Sequence, residues 1–435
     1  MSYNKQKARE NGDKMKTRIT DLSHDGRGIG QVDGKIIFVQ GAYPGEEVEV
    51  KITKTKKNYL EGRATEILKK SADRIESVCP DFYHCNGCQY CDYTYQAQLD
   101  SKVARLKTNL KKFAGLEVED IKIHPMENYK NYRNHVQLKV KDGKIGYVDK
   151  ENFSVFEAKA CLVWPEKTPE LIEVLKTLPD LDRINLIGLR ENYKGDLMVI
   201  LVSKDEKKIK IEDQLADLKA LGVSHIYQNI NSNPRFHYGR KSKVLYGDGP
   251  FKEEILKNTF NLSPTSFFQV NRTQAEVLYK IGIENLDLKS TDKVLELYSG
   301  IGTISMGLAK EAAYVLGIEY NPEAVKDAKT NAKLNGLDNL DFKSGRAEDL
   351  LDKVSSDFNK TLLDPARAGA DKKVLEKILE IAPEKISYIS CDPATLCRDL
   401  GILIKDGSYK VDKVEIVDMF PLSSHVETIA LIQKM

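Results

Sequence analysis

Tryptophan is almost missing from this 435-residue chain, which has 1, and cysteine and methionine are sparse at 7 each. No stretch approaches the ~18 consecutive apolar residues of a membrane helix. The polar start MSYNKQKARENGDKMK lacks the apolar centre of a secretory signal. Neither sign of charge dominates: 67 basic side chains face 65 acidic ones, for a net +2. These shortages argue against a membrane-spanning chain and a disulfide-framed secreted one, so we expect a cytoplasmic protein with no membrane partner. Disorder is excluded as well, because 41% hydrophobic and 30% charged residues suit globular domains. At roughly 100–200 residues per domain the length allows about two to four.

The charge is unevenly spread. Residues 1–70 hold 15 Lys+Arg and 10 Asp+Glu, a local +5, which leaves −3 for the other 365. A basic front points to nucleic acid, although charge alone fits a solvated lysine-rich surface equally well. Within it, TRITDL, GIGQV, KIIFV, GEEVEVKIT and LEGRATEIL alternate as short strands, with glycine turns at HDGRG and VDGK. We expect a small β-barrel over residues 14–68, with KITKTKK on a rim suited to RNA.

Four cysteines, Cys79, Cys85, Cys88 and Cys91, fall within 13 residues. In a chain with no secretory signal such a cluster reads as a zinc or iron–sulfur site rather than as disulfides. Next, Leu99, Val103, Leu106, Leu110 and Phe113 recur at helical spacing. We place this helix in residues 96–121 and expect it to pack on the catalytic domain. Residues 69–95 and 122–255 form a β-rich central domain, with HVQLKVKDGKIGYV a hairpin and DLMVILVS a buried strand. YGRKSKVLYGDGPFKEEI reads as turn-rich.

From Thr291 the rhythm becomes strand, glycine turn, helix, repeated to the end, as in a parallel doubly wound sheet. The fold class is multi-domain α/β, with residues 256–435 as a Rossmann-like domain. LELYSGIGTIS puts Gly300 and Gly302 between a strand and a helix, where backbone can approach a ligand. Glu319 ends the next strand, placed to accept from ribose hydroxyls, and Asp364 ends another in LLDPAR. A nicotinamide enzyme would show a similar loop. The missing third glycine and the carboxylates Glu296 and Asp364 favour S-adenosylmethionine.

KISYISCDPATLCRDL places Cys391 where a strand runs into a helix, with Asp392 as N-cap and Pro393 in the first turn. Helix amides there would stabilise a thiolate nucleophile. Cys397, inside the helix, reads as a small core residue. Glu427 in SHVETIALI sits beside apolar residues. Burial should raise its pKa and make it a proton acceptor near neutrality.

Together SCDPATLCRD, LLDPARAG, FPLSSHVETIALI, SFFQVN and the C-x5-C-x2-C cluster resemble the RNA uracil-5-methyltransferases. The likeness is greatest to the 23S ribosomal RNA branch, with its TRAM barrel and iron–sulfur domain, and runs from about residue 16 to the end. The resemblance implies that Cys391 adds to carbon 6 of uracil, carbon 5 takes the methyl of S-adenosylmethionine, and Glu427 removes the carbon-5 proton. It makes Gln269, Tyr298, Glu319 and Asp364 cofactor contacts and places Phe267 against a flipped-out uracil. It takes Cys79, Cys85, Cys88 and Cys161 as ligands of a [4Fe–4S] cluster, leaving Cys91 as a departure. Arg133 resembles a basic residue near the RNA, and Arg346 receives no role. The expected partner is 23S ribosomal RNA, and the expected state a monomer. Rival readings are the same chemistry on transfer RNA, an adenine amino-methyltransferase, and a non-catalytic RNA-binding assembly factor.

Overall fold

The computed structural model describes residues 12–150, 152–158, 160–233 and 235–435; most of the polar start considered above lies outside them. Strands Lys14–Leu22, Gly28–Val32, Lys35–Gln40, Glu47–Thr55 and Tyr59–Lys69 close into a barrel in the order first, second, third, fifth, fourth. Their alternation sends Ile19, Ile37, Val39, Val48, Val50, Ile52 and Leu60 inside. Gly62 is needed there, because a Cβ would stand 2.3 Å from Val50 Cγ1.

A seven-stranded sheet follows. Its order is Lys241–Tyr246, Val223–Ile230, Leu197–Ser203, Ile184–Glu191, His135–Lys141, Lys144–Val148 and Val155–Phe156. Leu197–Ser203 is buried throughout because both faces are covered. Val199 and Leu201 pack under helix Thr168–Lys176, while Met198, Ile200 and Val202 join Phe251, Phe260 and Phe268 of the next module. The segment read as turn-rich contains the strands Lys241–Tyr246 and Phe251–Ile255. The first is an edge strand with no fully buried residue, so it carries no apolar alternation to read.

The third sheet has eight strands: Leu340–Ser344, Tyr314–Glu319, Lys293–Leu297, Lys360–Leu363, Lys385–Ser390, Glu427–Lys434, Tyr409–Val417 and Lys122–His124. The first five are mutually parallel, and Glu427–Lys434 runs antiparallel to both neighbours. This is the Rossmann-like arrangement read from the sequence. Residues 122–124, assigned above to the central domain, instead form its last edge strand; three residues are too short to show a period. A boundary at residue 256 also cuts the turn of a hairpin, Phe251–Ile255 with Asn258–Leu262.

Helix Tyr95–Asn109 continues as a π-helical turn, Leu110–Ala114, and stops at Gly115 with φ of 68°. Its Leu106 and Leu110 share a core with Leu396, Leu400 and Leu403 of helix Pro393–Leu403. The approach is close, since a Cβ on Gly401 would stand 2.7 Å from Phe113 O. Among the described residues no helix is long and apolar enough to cross a membrane.

Candidate active site

The carboxyl ends of the parallel strands build one edge. Tyr298, Asp364 and Cys391 each follow the last residue of adjacent strands, and Glu319 ends the neighbouring one. Glu427 arrives from the opposite direction. Its strand pairs antiparallel with Lys385–Ser390, with Ser390 facing Thr428, so Glu427 starts where Cys391 leaves off.

Asp392 caps helix Pro393–Leu403, accepting from Ala394 N at 2.9 Å and Thr395 N at 3.3 Å. The cap takes the first free amides for itself. Burial, followed by the charges of Glu427 and Asp364, pushes the Cys391 thiol up to about 11, with Arg367 opposing. The thiolate stabilisation expected from the helix end is thus outweighed. In protein without ligands, iodoacetamide labelling of Cys391 should accelerate about tenfold per pH unit from pH 7 to about 10. A plateau by pH 8 in the mapped peptide would contradict this.

Carboxyls crowd the same edge. Burial lifts Glu427 well above the usual carboxylate range, with Asp364 adding to the effect and Arg367 opposing. Burial also lifts Asp364 to about 7. Glu296 rises to about 8 through burial, against a hydrogen bond from Ser305 and with Asp364 and Glu319 adding. The raised proton affinity read for Glu427 is therefore present. Arg367 Nη2 lies 2.6 Å from His425 Nδ1. Burial and then Arg367 take that imidazole down to about 4, leaving it neutral.

The glycine loop turns beneath these groups. Tyr298, Gly300 and Gly302 have φ of 65°, 56° and 82°. Gly300 N donates to Glu319 Oε2 at 3.1 Å, and the space a Gly300 Cβ would enter is open. At Gly302 a Cβ would instead stand 2.6 Å from Phe342 Cζ, so that glycine serves packing. Gln269 comes from outside the sheet, its carbonyl accepting from Asn134 Nδ2 at 2.9 Å. Its side chain donates to the hydroxyl of buried Tyr279, which also feels Asp364, Glu427 and Glu296.

Cys391, Glu427, Asp364, Glu319 and Gln269 thus belong to one region, whereas the Tyr298 side chain faces Glu348 and Asp371. Phe267 is 74% exposed and borders a separate cavity with Arg133. Arg346 lies over the Tyr320 ring at 5.7 Å, and Cys397 is fully buried in the core. Sequence reading missed Arg367 and Tyr279. Arg367 could have been noticed as the cation in a loop that opens with a carboxylate. Tyr279 is one of the buried positions of helix Arg272–Glu284, so its spacing carries no polar signal.

The cysteines gather elsewhere. Cys91 interacts with Cys79 and Cys88, and Cys161 feels Cys88, Cys79 and Cys85. Gly87 N donates to Cys85 Sγ at 3.2 Å. Met126, Tyr132, Val163 and Leu422 enclose the group. Among the described residues, however, no three His, Cys, Asp or Glu side chains are placed as they would be around a metal ion.

Residues 251–435 match the family model of tRNA (uracil-5-)-methyltransferase, and residues 8–65 match that of the TRAM domain. An uncharacterized RNA methyltransferase of Clostridium tetani is 38% identical over 436 residues, covering 95% of each chain. The chain belongs to the RNA (uracil-5-)-methyltransferase family. A relative of the same description from Caldanaerobacter subterraneus is 36% identical, over 98% of this chain and 99% of its own. Among solved structures, the tRNA (uracil-54, C5)-methyltransferase of Pyrococcus abyssi, in complex with S-adenosyl-L-homocysteine, superposes with a TM-score of 0.77. It is 25% identical, and the match covers 96% of this chain and 100% of that one. The TRAM match falls on the five-stranded barrel, as the sequence suggested.

Proposed function

We propose that this methyltransferase acts on carbon 5 of uridine in 23S ribosomal RNA in the cytoplasm, with S-adenosylmethionine as methyl donor. The observation that carries the chemistry is a thiol and a buried carboxyl, Cys391 and Glu427, at adjacent strand ends with Asp364 and Arg367 beside them. Gly300, Tyr298, Glu319, Asp364 and Gln269 would hold the cofactor. The site fits it: three buried carboxyls lie at this edge, and a cationic sulfonium and amine suit that surplus better than a pyrophosphate does. When bound, S-adenosylmethionine supplies an electrophilic methyl group.

The protein's own groups do the rest. Cys391, once deprotonated, adds to carbon 6 and makes carbon 5 nucleophilic. After carbon 5 has gained the methyl, Glu427 takes its proton, and the returning electron pair expels the Cys391 thiolate. Exposed Phe267 offers a stacking surface to a base brought out of the RNA stack. An adenine amino-methyltransferase would need no thiol here.

The deciding experiment offers RNA with 5-fluorouridine at the target, because fluorine blocks the final proton loss. A stable adduct mapped to Cys391 is expected. Bound cofactor and methylated normal RNA without an adduct would remove the cysteine from the mechanism. Transfer RNA is the second reading, favoured by the description of the P. abyssi enzyme. Nucleoside mass spectrometry of both RNAs incubated with protein separates the two.

Cys79, Cys85, Cys88 and Cys161 would hold a [4Fe–4S] cluster. The electrostatic influence of Cys88, Cys79 and Cys85 on Cys161 supports this reading. The cluster would supply a covalent tie between residues 79–88 and the central domain. Cys161→Ser should abolish bound iron and its visible absorption, whereas Cys91→Ser should retain both. The reverse result would exchange the fourth ligand.

A further inference from the structure

A cavity of about 490 Å³ opens between the seven-stranded sheet and the Thr265–Val270 segment. Arg133, Arg190, Tyr147, Tyr238 and Phe267 are among the residues that line it. Cys391 and Glu427 are not among its lining residues. Arg190 is 3% exposed, and its Nη2 donates to Ser266 O at 2.8 Å. Its Nε and Nη1 are buried with no hydrogen-bond partner, and so is Arg133 Nε. No carboxylate lines the cavity. The acidic group nearest in effect, Glu253, is already bound by Arg272 at 2.9 and 3.1 Å. His135 contributes no compensating negative charge; burial and the two arginines hold it neutral.

A buried guanidinium with unused donors is costly unless an acceptor arrives, and an anionic acceptor relieves both the charge and the unmet hydrogen bonds. We propose that this cavity is a phosphate subsite for RNA. It takes one phosphodiester next to the target uridine, drawn by the uncompensated charge of Arg190 with Arg133 beside it. The aromatic lining offers a surface to the attached base, and the lining residues Phe268 and Val270 flank Gln269, assigned above to the cofactor. Ser266 O and His135 Nδ1 occupy Arg190 Nη2 and leave Nε and Nη1 unexplained. The inference rests on the RNA-methyltransferase reading above.

The test uses full-length protein and an RNA fragment that it methylates, with each linkage around the target replaced in turn by a neutral methylphosphonate. In wild type, one replacement should weaken binding about tenfold or more, the usual effect of losing a charge-assisted hydrogen bond. In Arg190→Gln the unmodified RNA should bind correspondingly weakly, and the same replacement should cost less than about twofold further. Arg190→Lys, which keeps the charge but loses the hydrogen bond to Ser266, should fall between them. Unchanged S-adenosylmethionine affinity would show that both variants are folded. If no linkage matters, or the replacement costs the Arg190→Gln protein as much as wild type, the subsite takes no phosphate. An effect that follows the neighbouring base instead of the linkage overturns it equally. Wild-type protein that methylates no RNA would overturn the functional reading itself, a failure separable from either of these.

Discussion

Glu427→Gln is expected to stop turnover with RNA still bonded to Cys391, slowing product formation by about 10²–10⁴-fold, the usual contribution of a positioned base. The amide keeps the shape of the carboxyl but cannot accept the carbon-5 proton. Addition of the thiol precedes that step, so the adduct should accumulate and survive denaturation. The fold should tolerate the change, because burial already favours the neutral form of this carboxyl. Cys391→Ala should lose turnover as completely while forming no adduct, and should still bind cofactor. Denaturing gels and mass spectrometry of the two variants separate these roles. An adduct with Cys391→Ala, or full turnover with Glu427→Gln, would break the assignment.

The contrast between these residues shows how far the sequence could be read. Cys391 was legible because its signal is local: a buried strand, then Asp392 and Pro393 opening a helix, and the cap geometry is as read. The glycine loop and Glu319 were legible for the same reason. What the sequence withheld is direction. Nothing in SHVETIALI states that its strand runs antiparallel between two neighbours, yet only that reversal brings Glu427 beside Cys391. The state of the thiol was misread for a related reason. The helix end is local, whereas the burial that opposes a thiolate, and the carboxyls that add to it, come from distant strands. The short edge strands Lys122–His124 and Lys241–Tyr246 were invisible because neither buries an alternating face.

The cysteine segment and the catalytic edge are also mechanically joined. Gln89 N and Tyr90 N both donate to Leu422 O at 3.0 Å, and Gln89 Oε1 accepts from Ser424 N at 3.2 Å. Asn131 N donates to Leu162 O at 2.7 Å and Arg133 N to Val163 O at 3.0 Å, while Asn134 N donates to Val270 O at 2.7 Å. One route therefore runs from Cys88 to the segment before Glu427, and another from Cys161 to the Gln269 loop. A rigid cysteine module would fix the approach of both the base and a cofactor contact without touching either.

Asp418→Ala should test that support, with an expected loss of about 3–5 kcal/mol, as for other buried ion pairs that lose one partner. Asp418 is fully buried and lies 2.5 Å from Lys102, itself 1% exposed on helix Tyr95–Asn109. Tyr95 adds a bond to Asp418 Oδ2 at 2.7 Å, and Lys102 also reaches Phe420 O at 3.3 Å. Removing the carboxylate strands an ammonium ion whose pKa burial already lowers. Lys102→Met with Asp418→Leu should recover most of the loss, because two apolar groups replace the pair without leaving a lone charge. Denaturant unfolding measures both. Methylation should fall in the single variant by more than the unfolded fraction explains, since residues 418–424 lead directly to Glu427. A single variant within about 1 kcal/mol of wild type would show that the helix does not depend on this pair.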